Sequence, residues 1–482
     1  LKGSEAFVEA GRLTTIQLNL LGLAGVLAAG LLGGYLLALM TRVALEAFAR
    51  VVRPRVTHAA GIAAAVAALL VSLVGTSGEA ARSELSRPRG GSVPKVALVG
   101  VDGCDWERLM PLVEAGRLST FERLLSEGSH GPLRSLEKLV SPRIWTTIAT
   151  GKEPAKHGIL DFVNAAGVPV NSTMRTAAPV WEIVSANGLT AGVIGWYVTW
   201  PVDPVNGFLV SDRMHSLLRG PVQIWQSLGG TPTNERIERF GAFEFDPGYD
   251  AYPASDKRYQ QNRIVDEPLR WGYLRDHIYS EMAARLYPLY RPHFAAIYFR
   301  GVDFVEHFFW KYSDPGPFPD VTEEDEEAYG EVISRYYEYQ DRLLERLLRG
   351  LGDDVNVILV SDHGFQARTD PPENRPQLTG MHDRTAVLIA AGPAFRKGVR
   401  IEDAAVEDVT PTVLAVMGLP VPEDMDGRVL TDIIEESHLR AHPLESIASY
   451  EPLLGGRRAE PTAGSTMDDS IREQLKSLGY IE

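Results

Sequence analysis

The sequence predicts an α/β fold, a mostly parallel sheet sandwiched by helices, with an inserted cap and an N-terminal transmembrane helical hairpin. Three observations predict it. From Lys95 onward, short apolar runs alternate with helical stretches, the pattern of a sheet covered on both faces. Several of those runs end in or near Asp or His. Two uncharged stretches precede Lys95, and a polar Gly/Pro/Ser/Arg segment separates them from the rest.

The first uncharged stretch is Leu13–Thr41. About 20 apolar residues cross a bilayer core, so it is long enough to span with tilt. Its glycines and alanines suit close helix packing in lipid. It is too long for a signal-peptide core. The second, Val56–Gly78, is Ala-rich. Residues 1–78 are therefore read as a membrane anchor with helices at 13–41 and 56–78, the alternative being buried core helices. This makes a multi-pass protein whose partner is the lipid bilayer. Arg42, Arg50, Arg53 and Arg55 lie in the connecting loop, against Lys2, Arg12, Arg82, Arg87, Arg89 and Lys95 in the flanks. The charge rule for orientation is nearly tied. The sequence opens at Leu1, which leaves room for upstream residues. Residues 79–95 form the linker.

Composition bounds the rest. With 23% charged and 45% hydrophobic residues, the chain is neither disordered nor fibrous. Its single cysteine, Cys104, excludes an intramolecular disulfide and a Cys-rich zinc module. Residues 1–95 hold ten basic and five acidic residues, so the remainder carries −20 of the total −15. That acidic body argues against nucleic-acid binding. It suits a protein that gathers carboxylates for metal ions, although a solvated acidic surface is the commoner reason.

Lys95–Gly103 (KVALVGVDG) reads as a buried parallel strand presenting Asp102 at its tip. Trp106–Glu127 reads as one helix, and Val140–Thr150 as a turn and a helix. Then come a helix at Trp181–Asn187 and strands at Ala191–Trp196 and Phe208–Asp212. Residues 213–265 are irregular and rich in Pro, Gly and aromatics. A helix follows at Glu267–Tyr290, a strand at His293–Phe299 and a long charged helix at Glu323–Leu351. Strands at Val355–Val360 and Ala386–Ala391 precede a helix at Asp408–Met417, capped by Asp408 and stopped by Gly418. Ligands of such sheets sit outside the C-terminal ends of the strands.

Four segments carry the chemistry. They are VGVDG with Asp102, VSPRIWTTIATGKEPAKHGI with Ser141 and His157, FRGVDFVEHFFW with Asp303 and His307, and VSDHGF with Asp362 and His363, followed by GMHD with His382. Apart from His157, these are three aspartates and three histidines, residue types that ligate zinc and, with less nitrogen, manganese. A two-metal site clamps the attacking and leaving oxygens of an in-line displacement at phosphorus. Each residue has a plainer role open to it. Asp102 can cap the following helix, Ser141 can merely start one, and His157 reads as a hydrogen-bonding residue behind the site. Cys104 reads as a small buried residue.

The combined order of these motifs resembles the alkaline phosphatase superfamily. The nearest likeness is to its type I phosphodiesterase/nucleotide pyrophosphatase group and the bacterial phosphohydrolase/phosphomutase-like branch. The resemblance implies an alkaline-phosphatase-like catalytic domain over 96–435 with a cap at about 213–265, leaving 436–482 as a C-terminal tail. It implies that Ser141 is the nucleophile. It gives Asp102, Asp362 and His363 to the metal site that holds the nucleophile, and Asp303, His307 and His382 to a second site. Two divalent ions are expected, Zn²⁺ first and Mn²⁺ as the alternative. The implied activity is hydrolysis of phosphate esters through a phosphoseryl-type intermediate. Transfer of a phosphoryl or phospho-head group is the alternative, and a non-catalytic metal-binding membrane scaffold a second one.

The sequence departs from the pattern just after Ser141. Nucleotide pyrophosphatases tend to have an Asn there as a phosphate-oxygen donor, where this chain has Pro142, Arg143, Ile144 and Trp145. Arg143, Lys156 and Arg300 are the candidates for the missing positive charge. SPR lacks the spacing of a sulfatase nucleophile. Trp196, Tyr197, Trp200, Trp225, Tyr249 and Tyr252 either line an apolar substrate pocket or pack the core and cap. Anchored relatives suggest an extracytoplasmic catalytic domain.

Overall fold

The computed structural model describes residues 93–213, 224–226, 263–373 and 377–452, together with 468, 471, 472, 475 and 476. The predicted hairpin at 13–41 and 56–78 lies outside these residues, as does most of the predicted cap. Among the described residues no helix is long and apolar enough to cross a membrane.

Eight strands build one sheet. They are β1 (Lys95–Val101), β2 (Gly128–Arg134), β3 (Ala191–Ile194), β4 (Gly207–Val210), β5 (Ile224–Gln226), β6 (Phe294–Phe299), β7 (Val355–Val360) and, after the two-stranded hairpin β8 (Gly364–Ala367) and β9 (Gly380–Asp383), β10 (Thr385–Ala391). The order across the sheet is β2-β10-β7-β1-β6-β3-β4-β5. The centre, β7 to β4, is parallel; β10 and β5 run antiparallel to it, and the edge strand β2 pairs antiparallel with β10. The parallel centre follows from the long crossovers between its strands, helical except for the β3–β4 connection.

Strand periodicity sorts the core into two layers. Ala97, Val99 and Val101 of β1 face a cluster with Phe121, Met282, Phe304 and Leu344. Val96 and Leu98 face the other, with Ile144, Trp145, Trp181 and Val413. Helices therefore cover both faces, as the sequence implied.

Several elements differ from the sequence reading. Trp106–Glu127 is two helices, Trp106–Glu114 and Ser119–Glu127, because Gly116 turns the chain with φ +70°. Glu323–Leu351 is likewise broken into Glu323–Tyr329 and Val332–Leu351. Asp408 does not cap its helix (Val409–Val416) through its side chain. Its carboxylate accepts from the N–H groups of Ala405 and Arg428 instead. The segment read as a tail begins with a helix at Glu436–Ala441, and Ser446–Ile447 pairs with Val421–Pro422.

Candidate metal centre

The centre strands β1, β6 and β7 lie side by side, so their C-terminal tips meet. Asp102 follows β1, Asp362 and His363 follow β7, and Asp303 stands in the first turn of the helix Gly301–Ser313 after β6. The Asp303 N–H donates to the Asp102 carbonyl at 3.1 Å, tying two tips together. Gly103 makes this approach possible. Its φ is +70°, and a Cβ there would sit 2.6 Å from Phe365 and 3.0 Å from the Asp303 Cα. Its N–H also reaches Asp362 Oδ1 at 3.3 Å.

Asp303 and His307 share one helix face at i and i+4, with His307 Nε2 3.3 Å from Asp303 Oδ1. The β8–β9 hairpin brings in the sixth residue. His382 pairs with Phe365 across that hairpin, and its ring stacks on His363 with centroids 3.6 Å apart. All six predicted ligands thus converge. His363 Nε2 lies 3.4 Å from Asp102 Oδ1, 3.5 Å from Asp362 Oδ2 and 3.9 Å from Asp303 Oδ1. His382 Nε2 lies 3.3 Å from Asp303 Oδ1. Among the described residues, Asp102, Asp362 and His363 form one close trio. Asp303, His363 and His382 form another, so His363 sits between the two halves.

The electrostatics fit a cation. Asp102, Asp362 and His363 are completely buried, and their facing atoms Oδ1, Oδ2 and Nε2 have no hydrogen-bond partner among the described residues. Acceptors facing one another in a dry interior cost several kcal/mol unless positive charge joins them. The protonation equilibria register the same lack. Burial, then the Asp362 and Asp303 carboxylates, push Asp102 well above the usual carboxylate range. Burial pushes Asp362 up to about 6 and His363 down to about 4. Burial, then the neighbouring His363, takes His382 down to about 4.

The surroundings set the imidazoles for that task. His307 Nδ1 donates to the Gly380 carbonyl at 3.0 Å, and His363 Nδ1 to the Gly364 carbonyl at 3.1 Å. Each bond leaves an Nε2 lone pair aimed into the cluster. Tyr298, which the sequence reading missed, donates its hydroxyl to Asp102 Oδ2. Its signal was its place near the end of β6, one strand over from Asp102. Asp105 takes the capping role open to Asp102. It accepts from the N–H groups of Glu107, Arg108 and Phe365, which leaves Asp102 to the cluster.

Ser141 opens the helix Ser141–Thr150, fully buried, with no partner for its Oγ among the described residues. Trp145, one turn on, packs edge-on against Tyr298, with centroids 5.0 Å apart. Pro142 lines one cavity together with Tyr298 and Arg300. Ser141 therefore belongs to the same corner as Asp102. Of the three predicted anion-binding residues, only Arg300 lines that cavity. Arg143 does not. Lys156 instead donates to the Asp426 carboxylate at 2.6 Å and the Asp424 carbonyl at 3.0 Å. His157 is the hydrogen-bonding residue it was read as, held by Thr147 and the Ile159 N–H. Cys104 is buried. Of the aromatics, Tyr197 lines the cavity, whereas Trp196 packs against Trp145 and Trp181. Tyr249 and Tyr252 lie outside the described residues.

Comparison with known proteins adds relatives to this geometry. Over 97 residues the chain is 34% identical to the 2,3-bisphosphoglycerate-independent phosphoglycerate mutase of Cereibacter sphaeroides, 18% of this chain and 19% of that protein. Over 77 residues it is 31% identical to the protein of that name from Bacteroides thetaiotaomicron, covering 16% and 15%. The chain spans about a fifth of the length of the curated relatives it matches. Among solved structures, a 2-O GAG sulfatase superposes with a TM-score of 0.46 at 12% identity, covering 74% of this chain and 76% of that one. Murine ectonucleotide pyrophosphatase/phosphodiesterase 5 gives 0.42 at 14% identity, covering 71% and 100%. The profile of the type I phosphodiesterase/nucleotide pyrophosphatase family matches residues 96–424, from the first residues of β1 to well past the cluster's last ligand. The chain belongs to that family.

Proposed function

We propose that the chain is a membrane-anchored hydrolase of phosphate mono- or diesters, working with two divalent cations and Ser141 as nucleophile. The observation that carries this reading is the convergence of six Asp and His side chains, with buried lone pairs of Asp102, Asp362 and His363 facing one another, in the corner of the fold where Trp145 of the Ser141 helix packs on Tyr298. Asp102, Asp362 and His363 would hold one ion, and Asp303, His307 and His382 the other. Zinc suits the three imidazoles, and manganese is the alternative. Bound there, the ions supply positive charge that lowers the pKa of a hydroxyl or water and neutralises phosphoryl oxygens.

The chain's own groups do the rest. Ser141 Oγ bonds to phosphorus as the ester P–O bond breaks, and the serine proton ends on the departing alcohol. Water then displaces Ser141 from phosphorus, restoring its O–H and releasing the phosphate product. Two in-line displacements predict net retention at phosphorus.

A purified chain loaded with zinc or manganese should cleave an aryl phosphate or an aryl phosphodiester, and Ser141→Ala should abolish turnover. Turnover surviving that change overturns the nucleophile assignment. The partial likeness to phosphoglycerate mutases supports a second reading, transfer to an acceptor alcohol in place of water. Product analysis in ¹⁸O-labelled water separates the two. The uncharged stretches at 13–41 and 56–78 support anchoring in a bilayer, and the family resemblance favours a catalytic domain outside the cytoplasm. Protease accessibility of that domain in intact cells tests the side.

A further inference from the structure

Strand β3 runs parallel to β6, and its C-terminal tip leads into a turn of Gly195, Trp196, Tyr197 and Val198. Three hydrogen bonds fix this turn. Trp196 Nε1 donates to the Trp145 carbonyl at 3.1 Å, tying the turn to the helix that Ser141 opens. Val198 is gripped on both sides, its N–H by Asp212 Oδ2 at 3.0 Å and its carbonyl by Arg175 Nη1 at 2.8 Å. Val198 stands at φ +59°, which a β-branched residue rarely adopts. Such strain persists only where the surroundings impose it, and it gathers at sites where a neighbouring group must be aimed. The neighbour here is Tyr197.

The Tyr197 ring meets that of Tyr298 with centroids 5.2 Å apart, and the Arg300 guanidinium lies 5.7 Å from its own centroid. Tyr298 in turn carries the hydroxyl bonded to Asp102. Tyr197 also shares a cavity wall with Tyr298, Arg300 and Pro142, the residue after Ser141. Its hydroxyl is buried and has no hydrogen-bond partner among the described residues. Ser141 Oγ and Asp102 Oδ1 stand in the same condition. A buried hydroxyl without a partner forfeits the bonds that water gave it, so each one in a folded chain calls for an explanation. Burial pushes the pKa of this phenol above its usual range against the pull of Arg300, and the Asp102 carboxylate adds to the rise. The group keeps its proton and is a donor without an acceptor, in the corner that holds the serine.

We propose that the Tyr197 hydroxyl is a catalytic hydrogen-bond donor to a non-bridging oxygen of the phosphoryl group that Ser141 attacks. The inference rests on the phosphate-ester reading and deepens it, because it names a residue that meets the transition state. A donor already fixed where phosphoryl charge gathers needs no reorganisation as the reaction proceeds. No proton moves at this residue, which keeps its O–H through both displacements. Ser141 Oγ is as deeply covered as the phenol, so a substrate that reaches the serine enters the same corner.

The test is Tyr197→Phe in the full, zinc-loaded chain. The substrates are 4-nitrophenyl phosphate and bis(4-nitrophenyl) phosphate, and orthovanadate serves as a mimic of five-coordinate phosphorus. On the ester that wild type cleaves, kcat/KM should fall by about a hundredfold. Vanadate affinity, read by calorimetry, should fall by about tenfold or more. Zinc content should not change. The thermal midpoint without vanadate should stay level or rise, because phenylalanine leaves no donor stranded. That readout separates a donor to substrate from a donor to the fold. A variant that matches wild type in either turnover or vanadate binding overturns the proposal and leaves the phosphate-ester reading intact. A midpoint that falls does the same, because it gives the hydroxyl a structural partner. If wild type cleaves neither ester, the phosphate-ester reading itself fails and the assignment of Tyr197 with it.

Discussion

His307 Nε2 and His382 Nε2 lie 2.9 Å apart, and each is 3.3 Å from Asp303 Oδ1. The two imidazoles come from a helix and a hairpin 75 residues apart in sequence. Because His307 donates through Nδ1 to Gly380, its Nε2 offers a lone pair. Two ring nitrogens and a carboxylate oxygen then share one point, which is a ligand set for zinc. Removing His382 should leave one of two metal ions bound. Metal analysis of the zinc-loaded wild type and His382→Ala should give two and one ions per chain. Zinc should also raise the midpoint of thermal unfolding, and less so in the variant. Equal metal content in both proteins would remove His382 from the ligand set.

Ser141→Ala should lower kcat by at least about a thousandfold, because the nucleophile and its neighbours act as a unit. Metal content should not change, since Ser141 is not among the six converging side chains. Activity and metal analysis on one preparation separate a lost nucleophile from a lost metal.

Tyr298 donates to Asp102 Oδ2, and both residues are buried. Such an outer hydrogen bond orients a ligand carboxylate. Tyr298→Phe should weaken metal binding by about 10–100-fold with little loss of packing. Competition with a zinc-sensitive chelating dye measures the change. An unaltered affinity would make the hydroxyl's role structural.

The sequence made some of this legible and not the rest, for physical reasons. A buried strand ending in Asp is a strong local signal, so β1 with Asp102 and β7 with Asp362 and His363 were plain. The pair Asp303/His307 was weaker alone, since that spacing recurs on many helices. The breaks at Gly116 and Gly330 were not read, because the apolar pattern continues across the first and helix-forming Glu-rich sequence flanks the second. β2 was missed because GSHGPLR has neither alternation nor an apolar run. Its place at the sheet margin comes from pairing with β10. Tyr298 had only a faint signal, its place near the end of β6, because its bond to Asp102 is a tertiary contact with no motif to mark it. The ion pair of Lys156 with Asp426 was not legible either, because it joins residues 270 apart in sequence.

Asp105 should matter for stability rather than chemistry. It caps the helix Trp106–Glu114 and holds the Phe365 N–H at the base of the His382 hairpin. Asp105→Ala removes a cap and strands buried donors, a loss of about 2 kcal/mol. Urea unfolding of the zinc-loaded protein measures it. Asp105→Asn should recover part of the loss, because an amide oxygen still accepts from the helix.

His157 should give the fold an acid-labile component. Its Nδ1 accepts from the Ile159 N–H at 3.1 Å, so the proton sits on Nε2, 3.0 Å from Thr147 Oγ1. Burial, then the charges of Arg175 and Arg143, lower its pKa from 6.5 to about 3. The unfolded chain therefore binds a proton between those values that the folded chain refuses. Stability from this group is complete above pH 6.5 and is lost as pH falls towards 3, by on the order of a few kcal/mol. Protonating Nδ1 would also break the Ile159 bond. The cluster's own carboxylates and imidazoles titrate in the same range, so the quantity to compare is the difference between wild type and His157→Gln. Glutamine does not titrate. The variant should be less stable than wild type at pH 7, and the gap should shrink at each step down to pH 4. A gap that stays constant across that range would mean that His157 is as ready to take a proton in the folded chain as in the unfolded one.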